Sequence, residues 1–460
     1  MVGKRLLVLG AGSAVLLTLI AHLPALWNDF VWWDDPTHVT QNPVIRALTW
    51  ENLQAMFTQP IAKLYCPLTW LSFALDYQLW GRNPVGYHLT NLVLHAANVA
   101  LVFALAHRLL AAERIWPAFF TAALFGVHPL RVESVAWVTE RKDVLFTFFY
   151  LLALWAWTRQ ARLPVVWTLF LAAALSKPTA VTFPVVLWLL SRWLGRPVTA
   201  VQVAPFLVVS LVIGTVTILA QAAGPEQTIA TSAAIPWHVR PALVGYCALF
   251  YVGKFLWPFA LRPIYPTFDE LHWSPVAYAT GFIALTVLCF VLRQKQPSLW
   301  RGWLFYLVTL SPTIGILPVG IHVVADRYSY LAILGLCLPL GSVGGQWRVA
   351  RGVLVLIVPA LMYLTALQTT VWRNTETLFR TVLDHDPTNL PALINLTKWY
   401  TAHGDLDTAI ALGQRAVTVA PNSDFARLNL AVALQRAGRL DEALKVWPPL
   451  ANESSPNGSR

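Results

Sequence analysis

Charge is what this chain has least of. Of its 460 residues 12% are charged and 57% hydrophobic, against roughly 25% charged in an average soluble domain. That balance excludes a cytosolic enzyme and a disordered chain alike. Cysteine is scarce as well, at four. Cys289 and Cys337 sit inside apolar runs, whereas Cys66 and Cys247 lie nearer segment ends and could meet. No CxxC or Cys/His spacing occurs, so nothing marks a zinc site. Glycine-rich phosphate loops, a Ser-His-Asp order and His-rich metal motifs are also missing, which leaves ATP-driven transport unsupported. The surplus of base is real, +11 from 33 Lys+Arg and 22 Asp+Glu. It lies between apolar stretches rather than along one face, so nucleic acid is not the partner it implies.

What the chain does have is apolar length. Residues 371–460 hold nine basic and nine acidic residues, so the whole excess belongs to residues 1–370. Runs there reach the roughly 17–25 residues that cross a bilayer. The first, 1–30, opens on Lys4 and Arg5 but is longer than a signal-peptide core and lacks a small-x-small cleavage site, so it reads as an uncleaved span. Ten more follow: 86–111, 115–129, 143–158, 164–176, 178–194, 200–222, 275–292, 300–318, 328–346 and 351–370. A twelfth stretch, 238–258, mixes Tyr246, Tyr251 and Trp257 with His238, Arg240 and Lys254, as a helix lying on the outer surface would.

Eleven spans with a cytoplasmic N-terminus put Lys4, Arg5, Arg108, Arg114, Arg159, Arg162, Arg192, Arg196, Arg293, Lys295, Arg301, Arg348 and Arg351 on the inner side. Glu113 alone among the acids of residues 1–370 joins them; the other twelve fall at the outer face. Acids carry little weight in orientation, so their one-sidedness needs another cause. High Ala, Trp and Arg with little Lys suggests a bacterial inner membrane and a periplasmic tail.

The tail repeats itself. Pro387 and Pro421, Gly404 and Gly438, Leu406 and Leu440, Asp407 and Asp441, and Ala409 and Ala443 are each 34 apart, the period of the tetratricopeptide repeat. Residues 371–450 hold about two and a half such units, and 451–460 read as a disordered end. Arrays of this kind bind extended peptides or act as a structural cap.

Candidate chemistry follows the acids outward. The first outer loop, 28–85, contains Trp32-Trp33-Asp34-Asp35 just beyond the first span. Between the third and fourth spans, His128, Arg131, Glu133, Glu140, Arg141, Lys142 and Asp143 crowd one short connection. Lys177-Pro178 breaks the apolar stretch 164–194, and Asp326-Arg327-Tyr328 opens the tenth span. Ionisable groups this close to a bilayer are costly and tend to mark substrate paths. Acids activate an acceptor hydroxyl while cations hold a phosphate leaving group.

The strings FVWWDDPTHVTQNP, CPLTWLSFALDYQLWGRNPVGYHLTNLVLHAAN, HPLRVESVAWVTERKDVL, LSKPTAVTFP, ADRYSYLA and WRNTETLFR together resemble the transmembrane and tetratricopeptide repeat-containing proteins and their bacterial relatives, in the same order along nearly the whole chain. The resemblance implies an all-α fold: a polytopic membrane helix bundle of the GT-C type, 1–370, followed by a short extracytoplasmic repeat array. It implies an inverting glycosyltransferase that moves a sugar from a polyprenyl-phosphate donor, mannose in the animal members, to an extracytoplasmic hydroxyl. On the matching positions Asp34 is the general base, with Asp35 orienting it or the acceptor; Asp34 is favoured narrowly. His128, Arg141, Lys177 and Arg327 then bind the donor phosphate, while Glu133, Arg131, Asp143, Asp326 and Tyr328 contact the acceptor or support these groups. No metal and no cofactor is expected with a lipid-monophosphate donor. Membrane lipid, the donor and a protein or glycan acceptor on the repeats are the expected partners. Two departures stand out: the family pattern has His where Arg131 stands, and Asp where Arg192 stands. A non-catalytic envelope scaffold, and a polymerase or ligase using a pyrophosphate-linked donor, are the competing readings.

Overall fold

The computed structural model describes residues 3–62, 64–110, 115–222, 239–266, 274–314 and 323–447. Among them the chain is helical throughout, with one isolated antiparallel bridge, Ile61 to Leu64, and no strand. It divides into two compact units: residues 1–28 with 37–370, and residues 29–36 with 371–460. The end at 451–460 and the acid Glu113 lie outside the described residues.

In the first unit each apolar run of the sequence contains a helix. Among the described residues four are long and apolar enough to cross a membrane: Lys4–Trp27, Pro84–Leu109, Ala200–Ala220 and Arg348–Val371. Trp116–Val127, Leu163–Ser176 and Pro275–Val291 are shorter apolar helices. Proline opens several of them, at Pro84, Pro117, Pro275 and Pro297, where its missing N–H costs nothing because the first turn has no acceptor for it. Lys177 is extended, at φ −154° and ψ 133°, as a residue before proline prefers. Helix Leu163–Ser176 therefore ends there, and Phe183–Trp193 starts afresh after a short turn. Residues 240–256 form a helix as well.

Lipid tails are as apolar as leucine, so packing between such helices rests on close fit rather than on escape from water. Helix Leu334–Gln346 supplies that fit with Gly341 and Gly345, four apart on one face. A Cβ on Gly341 would sit 2.1 Å from Thr121 Oγ1, and one on Gly345 would sit 2.1 Å from Pro117 Cγ. The two helices meet almost backbone to backbone. All four cysteines are free and buried, Cys66 and Cys247 included.

The second unit carries the repeat. Helices Thr375–His385, Leu390–His403, Leu406–Val419, Asp424–Arg436 and Leu440–Val446 follow one another. Four start on a side-chain cap: Asn374 accepts from Thr377 N at 2.8 Å, Asn389 from Ala392 N at 3.2 Å, Asp405 from Thr408 N at 3.2 Å and Ser423 from Ala426 N at 3.3 Å. Each bond satisfies a donor that the helix itself leaves open. Gly404 and Gly438, one period apart, both take positive φ, 85° and 77°, a conformation that costs a side-chain-bearing residue energy and glycine almost none.

Candidate active site

Between helices Trp116–Val127 and Arg141–Thr158 the chain makes three short helical turns, Pro129–Arg131, Val132–Ala136 and Val138–Glu140. They bury most of the charged residues that the sequence crowds here. Helix Pro84–Leu109 fastens them through a polar stripe at helical spacing: Asn91, His95 and Asn98 share one face. Asn91 Nδ2 donates to Val135 O and Trp137 O at 3.2 and 3.3 Å, and Asn98 Nδ2 donates to Val144 O at 2.9 Å. His95 reaches Gly126 O at 3.0 Å with Nε2 and the Tyr330 hydroxyl at 2.7 Å with Nδ1. Each bond removes a polar group that lipid could not satisfy.

Six charged side chains then form one network. Glu133 pairs with the Arg327 guanidinium and also accepts from Arg327 N at 2.8 Å. Glu140 lies 3.0 Å from Lys142, 3.6 Å from Arg327 and 3.9 Å from Lys177. Asp143 pairs with Lys177 and accepts from the Ser134 hydroxyl at 3.1 Å. The cations occupy the accessible edge. Lys142 and Lys177 are 13% exposed and Arg327 10%, against 2–3% for the three carboxylates. An approaching anion therefore meets cations first.

Burial alone would raise Glu140, yet Lys142, Lys177 and Arg327 outweigh it and hold the carboxyl below its ordinary range. Glu133 moves the other way, because burial exceeds the pull of Arg327. Asp326 is pushed up to about 8 by burial, reinforced by the charge of Glu133. It accepts from the Tyr265 hydroxyl at 2.8 Å.

Other residues singled out by sequence are brought elsewhere. Arg141 is fully enclosed: it pairs with Asp76 at 2.6 Å, donates to Asn91 Oδ1, and reaches Tyr87 O at 2.9 Å. Arg131 donates to Tyr330 O and, at 2.7 Å, to the Ser329 hydroxyl, with Phe125 and Tyr330 rings beside it. His128 is bonded on both ring nitrogens, to Phe255 O at 3.0 Å and from Leu130 N at 3.2 Å. These three hold the fold of the segment rather than its open edge. Tyr328 lies against the Arg327 guanidinium, 5.1 Å from the ring centroid.

The sequence places Glu140 and Lys142 in the charged string, Lys142 among the cations that could hold a phosphate, without singling out either as a site residue, and it does not single out Asp76. A lone acid within the apolar helix Pro67–Trp80 was the available signal.

Asp34 and Asp35 belong to the second unit. Their segment is fixed by the tail at several points. Asp29 N donates to Arg373 O at 2.8 Å and Trp32 N to the Thr375 hydroxyl at 2.9 Å. Trp33 packs on Phe379 and Trp32 on His403, each at 5.8 Å between centroids. Asp35 is wholly buried and accepts from Val31 N at 2.7 Å, closing the turn, while Asp34 is half-buried. Among the described residues, no three His, Cys, Asp or Glu side chains converge as metal ligands would.

Comparison with known proteins agrees with the repeat and with the resemblance. The tetratricopeptide repeat family matches residues 400–446. A protein O-mannosyl-transferase of Caenorhabditis elegans is 31% identical over 154 residues, 30% of this chain and 21% of its own length. Protein O-mannosyl-transferase Tmtc2 of Drosophila melanogaster is 40% identical over 129 residues, 25% of this chain and 14% of its own. Human protein O-mannosyl-transferase TMTC2 is 32% identical over 145 residues, 30% of this chain and 17% of its own. The chain thus spans about a fifth or less of these relatives. The crystal structure of ArnT from Cupriavidus metallidurans bound to undecaprenyl phosphate superposes with a TM-score of 0.41 at 13% identity, over 99% of this chain and 82% of that one.

Proposed function

We propose that this protein is a membrane glycosyltransferase of the GT-C type, transferring a sugar from a polyprenyl-phosphate donor to an extracytoplasmic hydroxyl with inversion. The observation that carries the reading is the cation-edged network: Lys142, Lys177 and Arg327 at the accessible side, with Glu133, Glu140 and Asp143 behind. Similarity to protein O-mannosyl-transferases over a quarter to a third of the chain supports it, and makes mannose the sugar to try first.

In this reading the acceptor oxygen attacks the anomeric carbon as the bond from that carbon to the lipid phosphate breaks. The hydroxyl proton passes to Asp34, and the phosphate leaves on its lipid, its charge met by Lys177, Lys142 and Arg327. Asp35, spent on Val31 N, orients the turn that carries Asp34. His128, Arg131 and Arg141 act through position rather than contact, and Glu133 through Arg327. The tail serves by holding the Asp34–Asp35 segment, whether or not it also receives an acceptor. Eleven crossings, a cytoplasmic N-terminus and a bacterial inner membrane complete the reading; a tag at residue 230 is expected to report the outer side.

The tetratricopeptide match favours one rival, a scaffold that recruits partners without catalysis. Membranes carrying the full chain, given radiolabelled polyprenyl-phosphate mannose, decide between them. Transfer by wild type that Asp34→Asn abolishes supports the enzyme. Wild-type inactivity with monophosphate donors but turnover of a pyrophosphate donor would favour the polymerase or ligase. Inactivity with both would leave the scaffold.

A further inference from the structure

The opposite end of the first unit contains a cavity that the proposed reaction does not use. It measures about 260 Å³. The ends of four helices enclose it: Pro84–Leu109, Phe183–Trp193, Pro297–Leu310 and Leu334–Gln346. Its polar wall is Lys295, Gln296, Ser298, Arg301, Ser342 and Gln346. Neither Lys295 nor Arg301 has an ion-pair partner among the described residues, unlike the cations of the network. The positive end of helix Pro297–Leu310 opens beside them. Leu109, Leu110, Trp193 and Leu338 form its apolar wall.

Two cations without an ion-pair partner among the described residues, with hydroxyls and amides beside them and an apolar wall opposite, complement a molecule with an anionic head and a hydrocarbon chain. We infer that this cavity binds an anionic phospholipid from the adjoining leaflet, its phosphate on Lys295 and Arg301 and the upper part of an acyl chain against the apolar wall. A neutral lipid gains the apolar wall alone, and a free anion gains the cations alone. Each basic residue near an anionic headgroup strengthens binding about five-fold, so the pair contributes about thirty-fold. The site is independent of the proposed transfer reaction.

Delipidated full-length protein in detergent, titrated with radiolabelled phosphatidylglycerol, tests the inference. Lys295→Gln with Arg301→Gln is expected to weaken binding about thirty-fold. Lys295→Arg with Arg301→Lys keeps most of it, and Arg293→Gln, a cation outside the cavity, leaves it unchanged. Phosphatidylcholine and inorganic phosphate should both compete poorly. Equal binding of phosphatidylcholine overturns the inference, as does displacement by millimolar phosphate. So does undiminished binding in the double Gln variant, or an equal loss in Arg293→Gln.

Discussion

At one end of the first unit Lys142, Lys177 and Arg327 are matched by Glu133, Glu140 and Asp143, and Arg141 by Asp76. At the other, Arg108 turns to the carbonyl of Thr158 at 2.9 Å, and Lys295 and Arg301 face a cavity. The two ends use their charges differently. Bare cations at a membrane surface set orientation and attract lipid phosphate at little cost. Buried carboxylates serve neither purpose, and each must be held by a partner to be tolerated at all. The paired acids gathered at one end are therefore the candidates for chemistry, and their partners mark which of them are structural.

Breaking the pairing should cost most where enclosure is complete. Arg141→Met leaves Asp76 and Asn91 without their guanidinium, and a loss of about 3–5 kcal/mol is expected for a buried pair broken on one side. Thermal unfolding in detergent measures it, and the double variant Arg141→Met with Asp76→Leu should recover much of the loss. An unchanged midpoint in the single variant would dissolve the contrast between the two ends.

A smaller effect is expected in pH. The Asp326 carboxyl rises from 3.8 to about 8 on folding, so folding takes up a proton between those values. Its contribution is complete below pH 3.8 and disappears as pH rises through about 8. Glu133, also raised, acts with the same sign, whereas Glu140, held low, loses its contribution only as the solution turns acidic. Between pH 5 and 8 the unfolding midpoint of wild type should thus decline relative to that of Asp326→Asn as pH rises. Parallel slopes would contradict the assignment.

Smaller again is the loss of one hydroxyl. Tyr330→Phe removes the group shared by His95 and Asn98, at about 0.6–1.7 kcal/mol for a hydrogen bond between membrane helices. Arg293→Gln at the bare end should shift the same unfolding curve by nothing measurable.

The sequence displayed periods and sidedness but not partners. Five coincidences 34 residues apart announced the tail, because the conformations at Gly404 and Gly438 demand the same residue twice. The break at Lys177-Pro178 was legible because proline constrains its neighbour locally. Pairings across long separations were not. Arg141 meets Asp76 from 65 residues away and Arg327 meets Glu133 from 194, so nothing in the charged string distinguishes the enclosed arginine from the open one. Residues 29–36 read as part of an outer loop, and only tertiary contacts with Arg373, Thr375 and Phe379 join them to the tail.

On the proposed reading the paired end does the chemistry. This is tested most directly by transfer from radiolabelled polyprenyl-phosphate mannose in membranes, comparing Lys177→Gln with Arg293→Gln at equal expression. Lys177→Gln is expected to lose about a hundred-fold or more, as for removal of one electrostatic stabiliser of a leaving group, while Arg293→Gln keeps the wild-type rate. Equal rates in both variants would contradict it.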